Sequence, residues 1–74
     1  MTESLTHRVA GEVRAEMARQ RVTQREVAEH LGVSQPQISA RLRGEIAFDT
    51  VELEILARAF GVPVTKFFGP VSAA

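Results

Sequence analysis

The chain has 74 residues, 9 Lys and Arg against 9 Asp and Glu, a formal net charge of +0 and no cysteine. A single domain this small buries only about 60% of its unfolded surface, which disfavours an enzyme with a deep substrate cavity. The missing cysteines exclude a disulfide scaffold, a thiolate nucleophile and a cysteine zinc site. With a neutral total charge, any nucleic-acid binding must depend on how the charges are distributed.

The N-terminal segment has no basic stretch followed by an apolar core, so no signal peptide is expected. No apolar run approaches the roughly 20 residues of a membrane span. We therefore expect a cytoplasmic protein with no membrane partner.

Apolar residues at helical spacing, interrupted by Gly and Pro, predict an all-α fold with short connections. The first helix is predicted from about Glu3 to Gln20. Its apolar stripe recurs at every fourth position. The stripe consists of Leu5, Val9, Val13 and Met17.

Three later helices begin with a capping box, in which a polar side chain and a Glu or Gln three residues on cap each other's backbone. The second helix is predicted to end at Gly32, the third at Gly44 and the fourth at Gly61. A last turn or two from Pro63 to Phe68 closes the single domain, 1–74, before a frayed tail, 71–74. The boxes pair Thr23 with Glu26, Ser34 with Gln37 and Asp49 with Glu52, and the fourth helix turns Leu53, Leu56, Ala57 and Phe60 inward.

Residues 23–44 read TQREVAEHLGVSQPQISARLRG. They predict two helices of about eight residues, joined by a tight turn and crossing closely at the small Ala28. This is a helix-turn-helix, in which the first helix crosses the DNA backbone and the second enters the major groove.

The pattern T-Q-x-x-V-A-x-x-L-G-V-S-Q at 23–35, with G-V-P-V at 61–64, resembles the lambda-repressor-like (Xre-type) helix-turn-helix DNA-binding domains. The resemblance covers essentially the whole chain. It implies a compact five-helix fold and recognition of a double-stranded DNA operator by a homodimer. It further implies that Gln24 bonds a phosphate and braces Gln35, and that Arg43 and the loop 44–47 meet the DNA backbone.

A helical wheel places Ile38 and Leu42 on the inner side of the third helix. Its outer side is then small, neutral and hydrogen-bonding, where a solvated helix more often carries Glu and Lys pairs. A glutamine can pair with adenine through two hydrogen bonds, and small side chains allow close approach to thymine methyl groups. The residues predicted to contact DNA are Gln24, Gln35, Pro36, Gln37, Ser39, Ala40 and Arg43.

Further candidate phosphate contacts are Arg19, Arg21 and Arg25, which cluster around the start of the second helix, and Arg41. Arg41 departs from the family pattern, which has an apolar residue at this place. Two alternatives stay open for Arg41: a phosphate contact, or an ion pair with an acid such as Glu45 or Glu52.

Two consecutive rings, Phe67 and Phe68, point about 100° apart on a helix, so both are hard to bury in one small core. One ring is expected to pack inward, and the other to form an exposed apolar patch with Val71. Such a patch marks an interface. The predicted dimer interface is thus Phe67 or Phe68 together with Val71.

No catalytic motif accompanies the two histidines, His7 and His30, so no enzyme, cofactor or metal is expected. The favoured function is a sequence-specific, nucleoid-associated transcriptional regulator, with repression the favoured outcome. The alternative is a protein-interaction module of antitoxin or antirepressor type that keeps the same fold and binds a protein partner. The neutral net charge favours this alternative, and the acid-free outer side of the third helix favours DNA binding.

Overall fold

The computed structural model describes residues 4–69, which form four α-helices and a terminal 3-10 helix. No strand occurs in this range, and the predicted all-α class is confirmed. The expected fifth helix is a 3-10 helix of 5 residues rather than an α-helix. The elements are α1 (Leu5–Gln20), α2 (Gln24–Leu31), α3 (Gln35–Leu42), α4 (Thr50–Phe60) and the 3-10 helix (Val64–Phe68).

All three predicted capping boxes are formed, so local sequence determines where α2, α3 and α4 begin. Helix α1 has Ser4 as its N-cap, whose hydroxyl accepts a hydrogen bond from the backbone N–H of His7 at 3.2 Å. The predicted start at Glu3 lies outside the described residues. Helices α2 and α4 end at Gly32 and Gly61 as predicted, both in the left-handed conformation. Helix α3 ends earlier than the predicted Gly44, at Leu42, and its C-cap is Arg43 in the right-handed helical conformation.

The core lies where α1, α2, α3 and α4 converge, and the predicted inward residues of α4 are all buried. Helix α3 packs on α2 and α1, α4 packs on α2, and the 3-10 helix closes over α1 and α4. Leu5 is the exception to the predicted stripe, because 56% of it is exposed in the first turn of α1. The buried apolar core contains Val9, Val13, Met17, Val27, Ala28, Ile38, Leu42, Leu53, Leu56, Ala57, Phe60 and Phe67.

A polar cluster ties the end of α1 to the end of α4. The buried carboxylate of Glu16 accepts hydrogen bonds from Arg19 at 2.8 Å and from Gln20 at 2.7 Å. Gln20 also donates to the backbone carbonyl of Phe60 at 2.8 Å. The hydrogen bonds from Arg19 and then Gln20 hold the pKa of Glu16 below its ordinary value of 4.5.

The two consecutive rings divide as expected, with one inside and one outside. Phe67 is fully buried and meets Phe60 edge-on, with ring centroids 6.2 Å apart. Phe68 is 37% exposed, and its backbone carbonyl accepts a hydrogen bond from Arg8 at 3.0 Å. Phe67 is therefore corrected from a candidate interface residue to a core residue, and Val71 lies outside the described residues.

Candidate nucleic-acid interface

Helix α3 is buried on the side that faces the core and exposed to solvent on the opposite side. Ile38 and Leu42 are buried on its inner side, as the helical wheel predicts. Its first turn is exposed to solvent, including Gln35 and Pro36. Farther along, Ser39 and Ala40 are half-buried and Arg43 is exposed. The helix therefore presents its N-terminal end most openly, which is the end that reads base edges in a helix-turn-helix.

Gln35 and Gln24 are both exposed, and neither makes a side-chain hydrogen bond within residues 4–69. The brace between them that the resemblance implies is thus not formed in this structure. Both amide groups keep one acceptor and two donors for an outside partner.

Gln37 is only partly available, because its side chain belongs to the capping box of α3. Gln37 Oε1 accepts a hydrogen bond from the backbone N–H of Ser34 at 2.9 Å. The backbone N–H of Gln37 in turn donates to the Ser34 hydroxyl at 3.2 Å. The Nε2 group remains as a donor. Pairing with adenine through two hydrogen bonds needs the carbonyl as well, so in that mode Oε1 would have to accept a second hydrogen bond or leave the cap.

Arg43 is held by residues of its own chain. Its Nε and Nη2 donate to the two carboxylate oxygens of Glu45 at 2.7 and 3.1 Å, and its Nη1 donates to the Ser39 hydroxyl at 2.7 Å. Hydrogen bonding and the opposite charge raise the pKa of Arg43 and lower the pKa of Glu45. Three of the five guanidinium N–H groups are thus engaged, so a DNA phosphate would have to use the two that remain or displace Glu45. Sequence reasoning missed this partner.

Arg41 pairs with Glu52, one of the two acids that the sequence offered as its partner. Its Nη2 lies 3.1 Å from Glu52 Oε2, and its Nε donates to Oε1 at 3.1 Å. The two side chains are only 15% and 11% exposed. Arg41 is therefore committed to the interior side of α3, and Glu45 is the partner of Arg43 instead.

The three arginines around the start of α2 differ in how they are engaged. Arg19 is held by Glu16, and Arg25 lies 3.5 Å from Glu29 in an exposed pair. Arg21 is exposed at the end of α1, in the left-handed conformation, and no acid of the described chain pairs with it. The predicted positive rim is consequently neutralised in part by the chain itself.

The segment after α3 is fastened by α1. Arg14 donates a hydrogen bond to the backbone carbonyl of Leu42, and the ring of His7 packs against the buried Gly44. A Cβ at position 44 would lie 2.6 Å from His7 Cδ2, and the φ of Gly44 is +79°. Ser4 Oγ lies 2.8 Å from His7 Nδ1 and orients the ring. The sequence offered only the isolated Gly44 as a signal for this contact.

Two short capped helices, joined by a tight turn and with the second exposed at its N-terminal end, define a helix-turn-helix domain. Among the described residues no group of three side chains could hold a metal ion, and no helix is long and apolar enough to cross a membrane.

The sequence model of the helix-turn-helix family, of the lambda-repressor-like (Xre) type, matches residues 13–67. The chain belongs to this family, which is a family of DNA-binding regulatory domains and not of enzymes. No curated protein and no solved structure matches the chain.

Proposed function

We propose that the protein is a transcriptional repressor that binds a specific double-stranded DNA operator in the cytoplasm, on the nucleoid. One observation carries the proposal most directly. The side chain of Gln35 is exposed at the open end of α3 and makes no hydrogen bond within residues 4–69, while Ile38 and Leu42 anchor that helix in the core. An anchored helix with an unengaged amide at its leading end suits base readout in the major groove.

Each remaining residue of the interface takes a role that its contacts permit. Gln35 pairs with a base through its amide, and Gln37 donates a single hydrogen bond from Nε2. Pro36 and Ala40 allow close approach to base edges or methyl groups. Phosphates are bound by Gln24, Arg21, Arg25 and Arg19, and by Arg43 and Ser39 once Glu45 is displaced.

A homodimer on a palindromic operator completes the proposal. A neutral domain with few unengaged cations would bind nonspecific DNA with a dissociation constant of order 10⁻⁴–10⁻⁶ M at best. Two linked subunits on half-sites about one helical turn, or ~34 Å, apart multiply the phosphate contacts without new chemistry. The exposed Phe68 supports this step, because it leaves an aromatic ring at the surface for a second copy to cover.

Selection of bound duplexes from a random DNA pool tests the function. We expect the wild type to enrich a palindromic sequence. Gln35→Ala should weaken binding by ~1–3 kcal/mol and relax the preference at one base position in each half-site. Gln24→Ala serves as the matched comparison, since loss of a phosphate contact weakens all sequences alike.

A pool from which the wild type enriches no sequence would contradict specific readout. An unchanged selection profile for Gln35→Ala would remove that residue from the readout set while leaving the function in place.

The second candidate is a protein-interaction module of antitoxin or antirepressor type. The ion pairs formed by Arg19, Arg25 and Arg43 favour it, because they reduce the positive charge offered to DNA. A gel-shift assay at low salt with the promoter of its own gene separates the two candidates. The interaction module predicts no shift at any protein concentration below that of nonspecific binding.

A further inference from the structure

The strongest polar link between α3 and α4 is made by Arg41 and Glu52. The guanidinium holds both carboxylate oxygens, Nε to Oε1 and Nη2 to Oε2, each at 3.1 Å. Arg41 Nη1 also donates to the backbone carbonyl of Gln37 at 3.2 Å, within α3 itself. The pair thus joins the body of α3 to the first turn of α4.

The carboxylate of Glu52 is also held by the capping box of α4, independently of Arg41. As the third residue of α4, its Oε1 accepts a hydrogen bond from the backbone N–H of Asp49 at 3.0 Å. In return, Asp49 Oδ1 accepts from the backbone N–H of Glu52 at 2.7 Å. The carboxylate therefore has a set position relative to the axis of α4, and a planar guanidinium that binds both oxygens takes a set orientation to it.

Besides this ion pair, α3 is held by apolar packing and by a hydrogen bond from Arg14 to the backbone carbonyl of Leu42, its last residue. Helix α3 packs on α2 and α1, and its buried residues there are Ile38 and Leu42. Apolar packing resists separation of the helices, but the hydrophobic effect has no preferred direction, unlike a hydrogen bond. A largely buried ion pair adds little net stability compared with an apolar pair of the same volume, which directs attention to the geometry that this pair imposes.

We propose that Arg41 and Glu52 are positioning residues that set the angle of α3 against α4 and thereby the place of Gln35 in the DNA groove. The inference rests on the proposed function for its second half only. The orientation of α3 is a property of the protein without DNA, so the two halves are measured separately.

The test compares the double variant Arg41→Met/Glu52→Gln with the wild type. The glutamine keeps an acceptor for the backbone of Asp49, and the double change leaves the net charge as it was. The matched control is Arg58→Met/Glu54→Gln, which makes the same two changes, with the same net charge, at exposed positions of α4. Residual dipolar couplings of the backbone amides report the angle between α3 and α4 in the protein without DNA.

We expect the double variant to keep its helical content and to change the angle between α3 and α4 by more than the control does. With DNA, the ratio of operator affinity to nonspecific affinity should fall about tenfold, the worth of one bidentate base contact. The nonspecific affinity should stay unchanged, because the phosphate contacts and the net charge are the same. A residue acting only on stability would leave both the angle and the ratio where they were.

Unchanged couplings in the double variant would overturn the inference, whatever happens with DNA. If the double variant fails to fold, Arg41→Lys takes its place, because a lysine keeps the charge but cannot bind both oxygens in one plane. A changed angle with an unchanged ratio would overturn the link from these residues to readout. If the wild-type protein binds no specific DNA sequence, the proposed function is wrong. The angle between α3 and α4 would still decide whether Arg41 and Glu52 position α3.

Discussion

Arg41 and Arg43 each form an ion pair with a carboxylate of the same chain. Arg43, whose partner is Glu45, is the exposed one of the two. Its pair with Glu45 is exposed, so it adds little to stability. If DNA binds here, a phosphate that approaches the end of α3 meets a guanidinium already bound to three oxygens, two of Glu45 and one of Ser39, with the negative charge of Glu45 beside it.

Glu45→Gln should therefore strengthen binding to every duplex, specific or not. Removing the competing carboxylate leaves Arg43 to bind phosphate, and the slope of log affinity against log salt should steepen by about one unit. Binding titrations at several salt concentrations measure this slope. Glu54→Gln is the control, because it removes the same charge from an exposed site on α4.

Equal slopes for the two variants would mean that only the net charge matters and that Glu45 does not compete for Arg43.

Single residues also show where sequence reasoning reaches its limit. The buried side of α3 followed from periodicity alone, and Ile38 and Leu42 are buried as predicted. The partners of Arg41 and Arg43 did not follow, because Glu45 and Glu52 are both near in sequence. The choice depends on the path of the chain after Gly44, which is set by packing against α1 rather than by local preference.

Among whole elements, the helix starts and the position of the closing turn were predictable, whereas the 3-10 type of that turn was not. A capping box joins two residues three positions apart, so the box of Thr23 and Glu26 does not depend on how the rest of the chain folds. The 3-10 helix is different, because its 5 residues are too few to form an independent helix. Phe67 inserts into the core beside Phe60 and holds this helix in place; the adjacent rings predicted that one of them would pack inward, but not which one.

The turn after α3 depends on an interaction between elements that Gly44 makes possible. Gly44→Ala should destabilise the fold, since alanine is strained at φ +79° and its Cβ would collide with the ring of His7. Gly61→Ala is the control, because Gly61 has φ +69° but nothing within 4 Å of a Cβ. Each should lose about 1 kcal/mol from strain, and Gly44→Ala roughly 1 kcal/mol more from the displaced ring.

Thermal or chemical unfolding monitored by circular dichroism measures the difference. His7→Ala should abolish the excess cost of Gly44→Ala and leave the cost of Gly61→Ala untouched. Equal losses for the two glycine variants would show that the ring moves aside freely and does not fasten the loop.

The whole molecule has no net charge, so pairing of two copies is one way to strengthen its binding to DNA. An apolar surface is available for that pairing. A shallow groove of about 160 Å³ opens where the start of α1 meets the start of α4 and the end of the 3-10 helix. Two of its lining residues, Leu5 and Phe68, are among the exposed large apolar side chains. The groove is lined by Leu5, Thr6, Val9, Ala47, Phe48, Leu53 and Phe68.

Phe68→Glu tests whether this surface joins two copies on DNA. The ring is 37% exposed, so the variant should stay folded, whereas Phe67→Glu should unfold because Phe67 is fully buried. Sedimentation should show Phe68→Glu as a monomer that has lost tight operator binding and keeps only nonspecific affinity of order 10⁻⁴–10⁻⁶ M. Val51→Glu is the matched control, since Val51 is 64% exposed but does not line the groove. It adds the same charge, so a loss shared by both variants would be electrostatic and would argue against a contact at Phe68. If Phe68→Glu keeps the mass and the affinity of the wild type, a dimer would have to form through another surface or not at all.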